Sequence, residues 1–306
     1  MTLLSLIFAL GLEQIRPLDN RNRVWLLFIR YANHLERNLN AGSNRHGIFA
    51  WLVAILPPVL LSILVYYALK AISPVLGLLW NVFVLYLTMG FRHFSSAFSE
   101  ISLSLAEGRE LDARVTLSQW TGQSSAELSV NEISRLAIEQ GVTDSYRFVF
   151  GTMFWFVVLP GPGGAVLYRL SQMLYQKWGN RPANEDLFGQ CADRVATWLD
   201  WLPVRLTATS FAVMGDFEDA VYCWRSQARA WGDYANGILL ASAAGALGVR
   251  LGDPLKQDYT VKFRPELGLG DEADPNTLRS AVGLIWRSAL LWLLIILLIS
   301  VANLLG

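Results

Sequence analysis

The stretch Ile48-Phe-Ala-Trp-Leu-Val-Ala-Ile-Leu-Pro57-Pro58-Val-Leu-Leu-Ser-Ile-Leu-Val-Tyr66-Tyr67-Ala-Leu69 carries no charge, and Lys70 follows it directly. A helix needs about 20 consecutive apolar residues to cross the hydrocarbon layer, and Tyr66, Tyr67 and Lys70 form an aromatic and cationic collar of the interfacial kind. Residues 48–70 therefore predict a membrane span. Pro57 and Pro58 fall inside it and lack the N–H that a helix interior uses. A kink is expected there, and the carbonyls they free require donors from a neighbouring helix or water. The span should pack against protein at that level.

Other runs extend the pattern. Residues 288–305 are apolar over a full span length behind Trp286 and Arg287, so a span is expected over 286–305. After the break at Ser73-Pro74, residues 75–90 are uncharged and suit the return half of a hairpin that emerges at Arg92 and His93. Residues 148–170 are interrupted at 160–164 by Pro-Gly-Pro-Gly-Gly, which fits a broken span, a re-entrant hairpin or two half-helices meeting at a functional site. The opening 3–12 run is too short to span and has no cleavage site of small residues, so an interfacial or partly inserted helix is expected.

The totals agree with the runs. Of 306 residues, 53% are hydrophobic and only 16% charged, and the mean hydropathy is +0.35. Soluble domains carry about 25% charged residues, so this chain needs lipid to cover part of its surface. Arg16, Arg21, Arg23, Arg30, Arg37 and Arg45 precede the first long span and place that end in the cytoplasm by the positive-inside rule. A formal charge of zero without a basic, aromatic-interleaved stripe excludes nucleic acid as an expected partner.

Residues 91–147 and 171–280 are amphiphilic and read as helical throughout. Phe94, Phe98, Ile101, Leu105 and Leu111 make one apolar stripe, and Gly122 marks a helix stop. Ser129 and Glu132 have the spacing of a capping box that opens a helix over about 130–139. In 188–206, Arg194, Trp198, Trp201 and Arg205 recur at helical spacing until Pro203 interrupts them. The two arginines suit bidentate binding of phosphate or carboxylate, or equally snorkelling beside interfacial tryptophans. Gly245 and Gly248 suit close helix packing. Cys191 and Cys223 read as packing cysteines, and His34, His46 and His93 are isolated from any metal-ligand spacing, so no metal site is expected. No phosphate-binding glycine loop or nucleophile elbow is present.

Ala113-Arg114-Val-Thr-Leu117-Ser118-Gln-Trp-Thr-Gly122 resembles the Ala-Arg-x-x-Leu-Ser-x-x-x-Gly motif of the cobinamide-phosphate synthase family, CobD/CbiB. The similarity continues in order through Phe154-Trp155, Gly164-Ala165-Val-Leu-Tyr168-Arg169, Phe188-Gly189, Arg194, 202–206 and the Gly245-to-Gly252 signature, and covers nearly the whole chain. The resemblance implies an all-α, polytopic integral membrane protein of the bacterial inner membrane, one membrane domain over 1–306 with amphipathic cytoplasmic helices. It implies ATP and Mg2+, a corrinoid substrate, the lipid bilayer and a second copy of the chain as partners, and amide formation between adenosylcobyric acid and an aminopropanol-type amine through an acyl phosphate. Arg114, Arg169, Arg194 and Arg205 would bind phosphate or substrate; Asp144 and Glu139, off the family's pattern, are the candidate catalytic acids of this chain, with Asp144 helping a metal.

The sequence departs from the family at acidic positions. Thr143, Asp144, Arg147 and Phe148 stand where the family has Glu-Asn and then Asp-Gly, Gln172-Met173-Leu174-Tyr175 where it has Asn-Thr-Leu-Asp, and Ala196-Thr197 where it has paired aspartates. Asp144, Asp193, Asp200 and Glu139 supply either a rearranged site or surface acids. Two alternatives follow. One is a non-catalytic regulatory membrane protein similar to AmpE, which residues 199–206 also resemble. The other is a small-solute or lipid-handling protein with 148–170 lining a path.

Overall fold

The structure, a computed structural model, describes residues 2–15, 23–179, 187–257 and 260–305. Arg16 and Arg21 lie outside these residues, and of Arg23, Arg92 and His93 the backbone alone is described. The fold is all-α. In chain order the helices are α1 (Thr2–Ile15), α2 (Arg23–Leu39), α3 (Asn44–Ile72), α4 (Pro74–Thr88), α5 (Phe91–Ala106), α6 (Glu110–Thr121) and α7 (Val130–Ser145). There follow α8 (Gly151–Val158), α9 (Gly163–Leu174), α10 (Gln190–Met214), α11 (Phe217–Gln227), α12 (Tyr234–Leu247) and α13 (Pro275–Leu305). Among the described residues, Asn44–Ile72 and Pro275–Ala302 are long and apolar enough to cross a membrane, while α1, α4 and α12 are apolar but shorter.

The chain forms two compact units, Met1–Phe91 with Arg147–Trp201, and Arg92–Tyr146 with Leu202–Gly306. In the first, α3 and α4 turn back on each other at Ser73, whose hydroxyl accepts the Val75 N–H at 3.3 Å. Pro74 opens α4, where a missing N–H costs nothing. Helix α1 packs along α4 and buries Ser5, Leu6, Ala9 and Glu13. Helix α3 runs without interruption through Pro57 and Pro58. The carbonyl that Pro57 deprives of its helical partner is that of Val53, and the Tyr31 hydroxyl of α2 donates to it at 3.1 Å. Ala32 and Leu35 of α2 pack on Ala50, Ala54 and Ile55 of α3 to close this level.

The same device recurs in α10. The sequence predicts an interruption at Pro203, yet the helix continues to Met214. Pro203 frees the carbonyl of Leu199, and the Trp155 indole N–H supplies the missing bond at 3.1 Å. Trp155 comes from α8, which with α9 forms a hairpin across residues 159–162, so 148–170 is a pair of helices packed against each other. Gly164 makes this approach possible, because a Cβ there would collide with the Trp155 carbonyl.

In the second unit, Phe94, Phe98, Ile101 and Leu105 of α5 are buried as expected, but Leu111 is 74% exposed. Gly108, at φ +73°, turns the chain between α5 and α6 and takes Leu111 off the stripe. Gly122, at φ +70°, ends α6. The Ser129–Glu132 capping box is present in both directions and opens α7, which runs on to Ser145, beyond the expected end near 139. Gly245 of α12 lies against the Asp219 carbonyl of α11, whereas Gly248 is a left-handed cap at φ +66° with open space around it.

The expectation that 171–280 is wholly helical is overturned after Gly248. Among the described residues four short strands follow: β1 (Val249–Arg250), β2 (Leu255–Gln257), β3 (Thr260–Lys262) and β4 (Asp271–Glu272), with β1 parallel to β4 and β2 antiparallel to β3. Pro254 and Pro265 with Gly252, Gly268 and Gly270, all three at positive φ, prevent a helix here. The last helix starts at Pro275, well before 286, because Asp274 caps it: its carboxylate accepts from the Thr277 hydroxyl and N–H and is held below the usual carboxylate range chiefly by that hydroxyl.

Replacing Tyr31 or Trp155 by Phe should lower stability by about 0.5–1.5 kcal/mol, since each leaves a proline-freed carbonyl without its protein donor. In the Pro57→Ala background the Tyr31→Phe cost should largely vanish, as should that of Trp155→Phe in Pro203→Ala, because the helix regains its own N–H. Thermal unfolding of the detergent-purified variants as two double-mutant cycles reads the coupling, and additive effects would refute it.

Candidate functional site

In the second unit a polar cleft of about 630 Å³ opens at the N-terminal end of α7. Ser129, Asn131, Glu132 and Arg135 line one side, and Arg250, Asp253 and Glu272 the other. The turn that carries Asp253 is held from outside this lining by Arg264. Its guanidinium pairs with Glu139 of α7, Nη1 to Oε2 at 2.6 Å and Nη2 to Oε1 at 3.2 Å, and also donates to the carbonyls of Gly252 at 2.8 Å and Asp253 at 3.2 Å. Glu139 accepts in addition the Gly252 N–H at 2.8 Å. Arg264 lies over the Trp231 ring, 5.6 Å from its centroid.

This clamp fixes residues 252–253 from both sides. Asp253 sits at φ +65°, in the left-handed region that asparagine and aspartate enter most readily among residues with a Cβ. Its carboxylate meets Arg135 Nη1 at 3.1 Å. Asn131 donates to Glu272 at 2.9 Å across the cleft mouth, and Arg250 lies 3.8 Å from Glu266.

Of the residues singled out from the sequence, Glu139 is thus the buried anchor of Arg264, with three donors on its two oxygens. Asp144, 6% exposed, accepts from the Trp120 indole at 2.9 Å and the Gln140 amide at 3.1 Å, so the two acids share α7 but face different partners. Arg114 bonds the Leu128 carbonyl at 2.9 Å and Glu110 at 3.0 Å and ties down the 122–129 loop. Arg205 is half-buried on α10.

In the first unit, Arg169 stacks on Phe148, 4.4 Å from its centroid, and more loosely on Trp25. Asp200 accepts from the Tyr168 hydroxyl and the Gln172 amide, each at 3.0 Å. Asp193 and Arg194 are exposed, as are Trp198 and Trp201. Cys191 and Cys223 are buried free thiols, His34 bonds Asn38, and His46 bonds Ser43.

No group of three His, Cys, Asp or Glu residues able to hold a metal occurs among the described residues. Both Asp144 oxygens carry N–H donors and Glu139 carries a guanidinium, so neither acid fits an open metal position. Sequence reading missed Arg135, Asp253 and Arg264. The usable signal was Asp253 directly after the Gly245-to-Gly252 signature.

Glu139→Ala should leave Arg264 buried without its carboxylate and destabilise the protein by about 3 kcal/mol, more than Glu110→Ala on the exposed Arg114 pair, which should cost under about 1 kcal/mol. Thermal unfolding of both variants checks this order. Cys223 has its thiol pushed up to about 11, chiefly by burial and then by Asp219. At about pH 8 it should resist maleimide until the protein is denatured, because the thiolate is the reactive form.

The family model described as CobD/Cbib protein matches residues 7–285. A cobalamin biosynthesis protein CobD of Stutzerimonas stutzeri is 33% identical over 298 residues, 96% of each chain. One of Chromobacterium violaceum is 35% identical over 219 residues, 72% of this chain and 70% of the relative. One of Mycobacterium tuberculosis is 29% identical over 175 residues, 56% of each. No solved structure matches the chain. With a family match along most of its length and a relative that aligns over 96% of both chains, the chain belongs to the CobD/CbiB family of cobalamin biosynthesis proteins.

Proposed function

We propose that the chain is a multi-pass protein of the bacterial inner membrane that acts in cobalamin biosynthesis. Its reaction is the ATP-dependent joining of adenosylcobyric acid to an aminopropanol-type amine. The carrying observation is the 33% identity over 96% of both chains with a protein named for cobalamin biosynthesis. The membrane reading draws on the two long apolar helices and on the lipid-compatible exposure of Leu60, Leu61 and Leu64 on α3 and of Leu294, Leu297 and Leu298 on α13.

Amide formation of this kind needs cations to steady the phosphates while the substrate's carboxylate attacks the terminal phosphorus of ATP, ADP leaves, and the amine then displaces phosphate from the acyl phosphate and gives up a proton. Arg169, Arg194 and Arg205 are the phosphate- and corrinoid-binding residues in this reading, and Asp144, which accepts from the Trp120 indole and the Gln140 amide, is its acidic residue. Mg2+ would enter with the nucleotide and supply charge neutralisation on its phosphates.

Detergent-purified protein incubated with ATP, magnesium, adenosylcobyric acid and aminopropanol phosphate should yield the amide by mass spectrometry, and Arg194→Ala with Arg205→Ala should abolish it. No product beside an active authentic synthase would sink the synthase reading on these substrates and leave a binding or regulatory membrane protein, the AmpE-like alternative. Carbonate washing should leave the protein in the membrane pellet, and its release would overturn the multi-pass reading.

A further inference from the structure

The cleft at the start of α7 has hydrogen-bonding capacity left over, and it is donor capacity. Arg135 is 9% exposed; its Nη1 holds Asp253, while its Nε has no acceptor. The Nε of Arg250 is likewise buried without an acceptor. The acids that face the cleft are otherwise engaged. Glu132 accepts the N–H and hydroxyl of Ser129, both at 2.8 Å, and Glu272 accepts from Asn131. Two arginines that line the cleft therefore each keep an N–H without an acceptor, beside the positive end of a helix dipole.

Asp253 is the remaining acid, and its placement is unusual. It is the one non-glycine at positive φ among the described residues, and the Arg264–Glu139 clamp holds the backbone that keeps it there. A carboxylate held in a left-handed turn against a buried arginine has the position that the acid group of a ligand would take.

We propose that this cleft binds the phosphate or carboxylate end of a small molecule through Arg135 and Arg250, and that Asp253 is a built-in stand-in which the ligand's anion displaces from Arg135. At about 630 Å³ the cleft falls in the range of small-molecule pockets, so the anion is the end group of a larger ligand. The inference goes beyond the proposed reaction, because binding is read without turnover.

Calorimetry on the full detergent-purified chain at fixed ionic strength, with inorganic phosphate and separately with succinate, tests it. Asp253→Asn keeps a residue that tolerates the left-handed turn and removes the competing charge, so the preferred anion should bind about tenfold tighter than to the unmodified chain. The tighter of the two anions identifies the end group as phosphate or carboxylate. Adding Arg135→Gln to Asp253→Asn removes both members of the ion pair, leaves no unpaired buried carboxylate, and should abolish binding while the melting temperature holds. Unchanged or weaker binding in Asp253→Asn would overturn the stand-in role. Binding that survives Arg135→Gln, or none with either anion in any variant, would overturn the site.

Discussion

A proline inside an apolar helix leaves one carbonyl with no N–H to accept, and in surroundings that water does not reach this carbonyl must be answered by a side chain. Much of the first unit is arranged around two such carbonyls. Val53 is answered by Tyr31, which draws α2 against α3, and Leu199 is answered by Trp155, which draws the α8–α9 hairpin against α10. The hairpin can come that close because Gly164 has no side chain to meet the Trp155 backbone. One covalent peculiarity of proline thus selects donors on neighbouring elements and fixes which elements are neighbours.

The second unit is governed by charge. Arg264 satisfies a buried carboxylate and two backbone carbonyls at once, which only a planar, multi-donor cation does well. An isolated buried Glu139 would carry a desolvation cost of several kcal/mol, and the pair with Arg264 offsets it while setting the turn at 252–253. The cleft is a consequence of that turn.

What the sequence disclosed depended on the range of the interaction. The need for a donor near Pro57, the stop at Gly122 and the Ser129–Glu132 box were all legible, because each is set by residues within a few positions. The exposure of Leu111 was not, since a single glycine at 108 rotates the next helix by an amount that periodicity does not carry. Pro203 was read as a stop because the answering indole lies 44 residues away from Leu199. The strands after Gly248 were hidden by their shortness, and Arg135, Asp253 and Arg264 by their separation, for an ion pair spanning 118 residues leaves no local pattern. Family resemblance reached further than periodicity because it compares whole arrangements, yet it drew attention to carboxylates and arginines that the structure distributes among separate partners.

The Glu139–Arg264 pair also bears on how the chain is made. The two residues are 125 positions apart, so at ordinary rates of synthesis Arg264 follows Glu139 by on the order of ten seconds. During that interval α7 exists without the Arg264 guanidinium, and the 252–253 turn has not been synthesised. The 252–253 turn cannot be clamped until residue 264 has been made, so the closure of the second unit around Glu139 follows the synthesis of its helices α7 to α12.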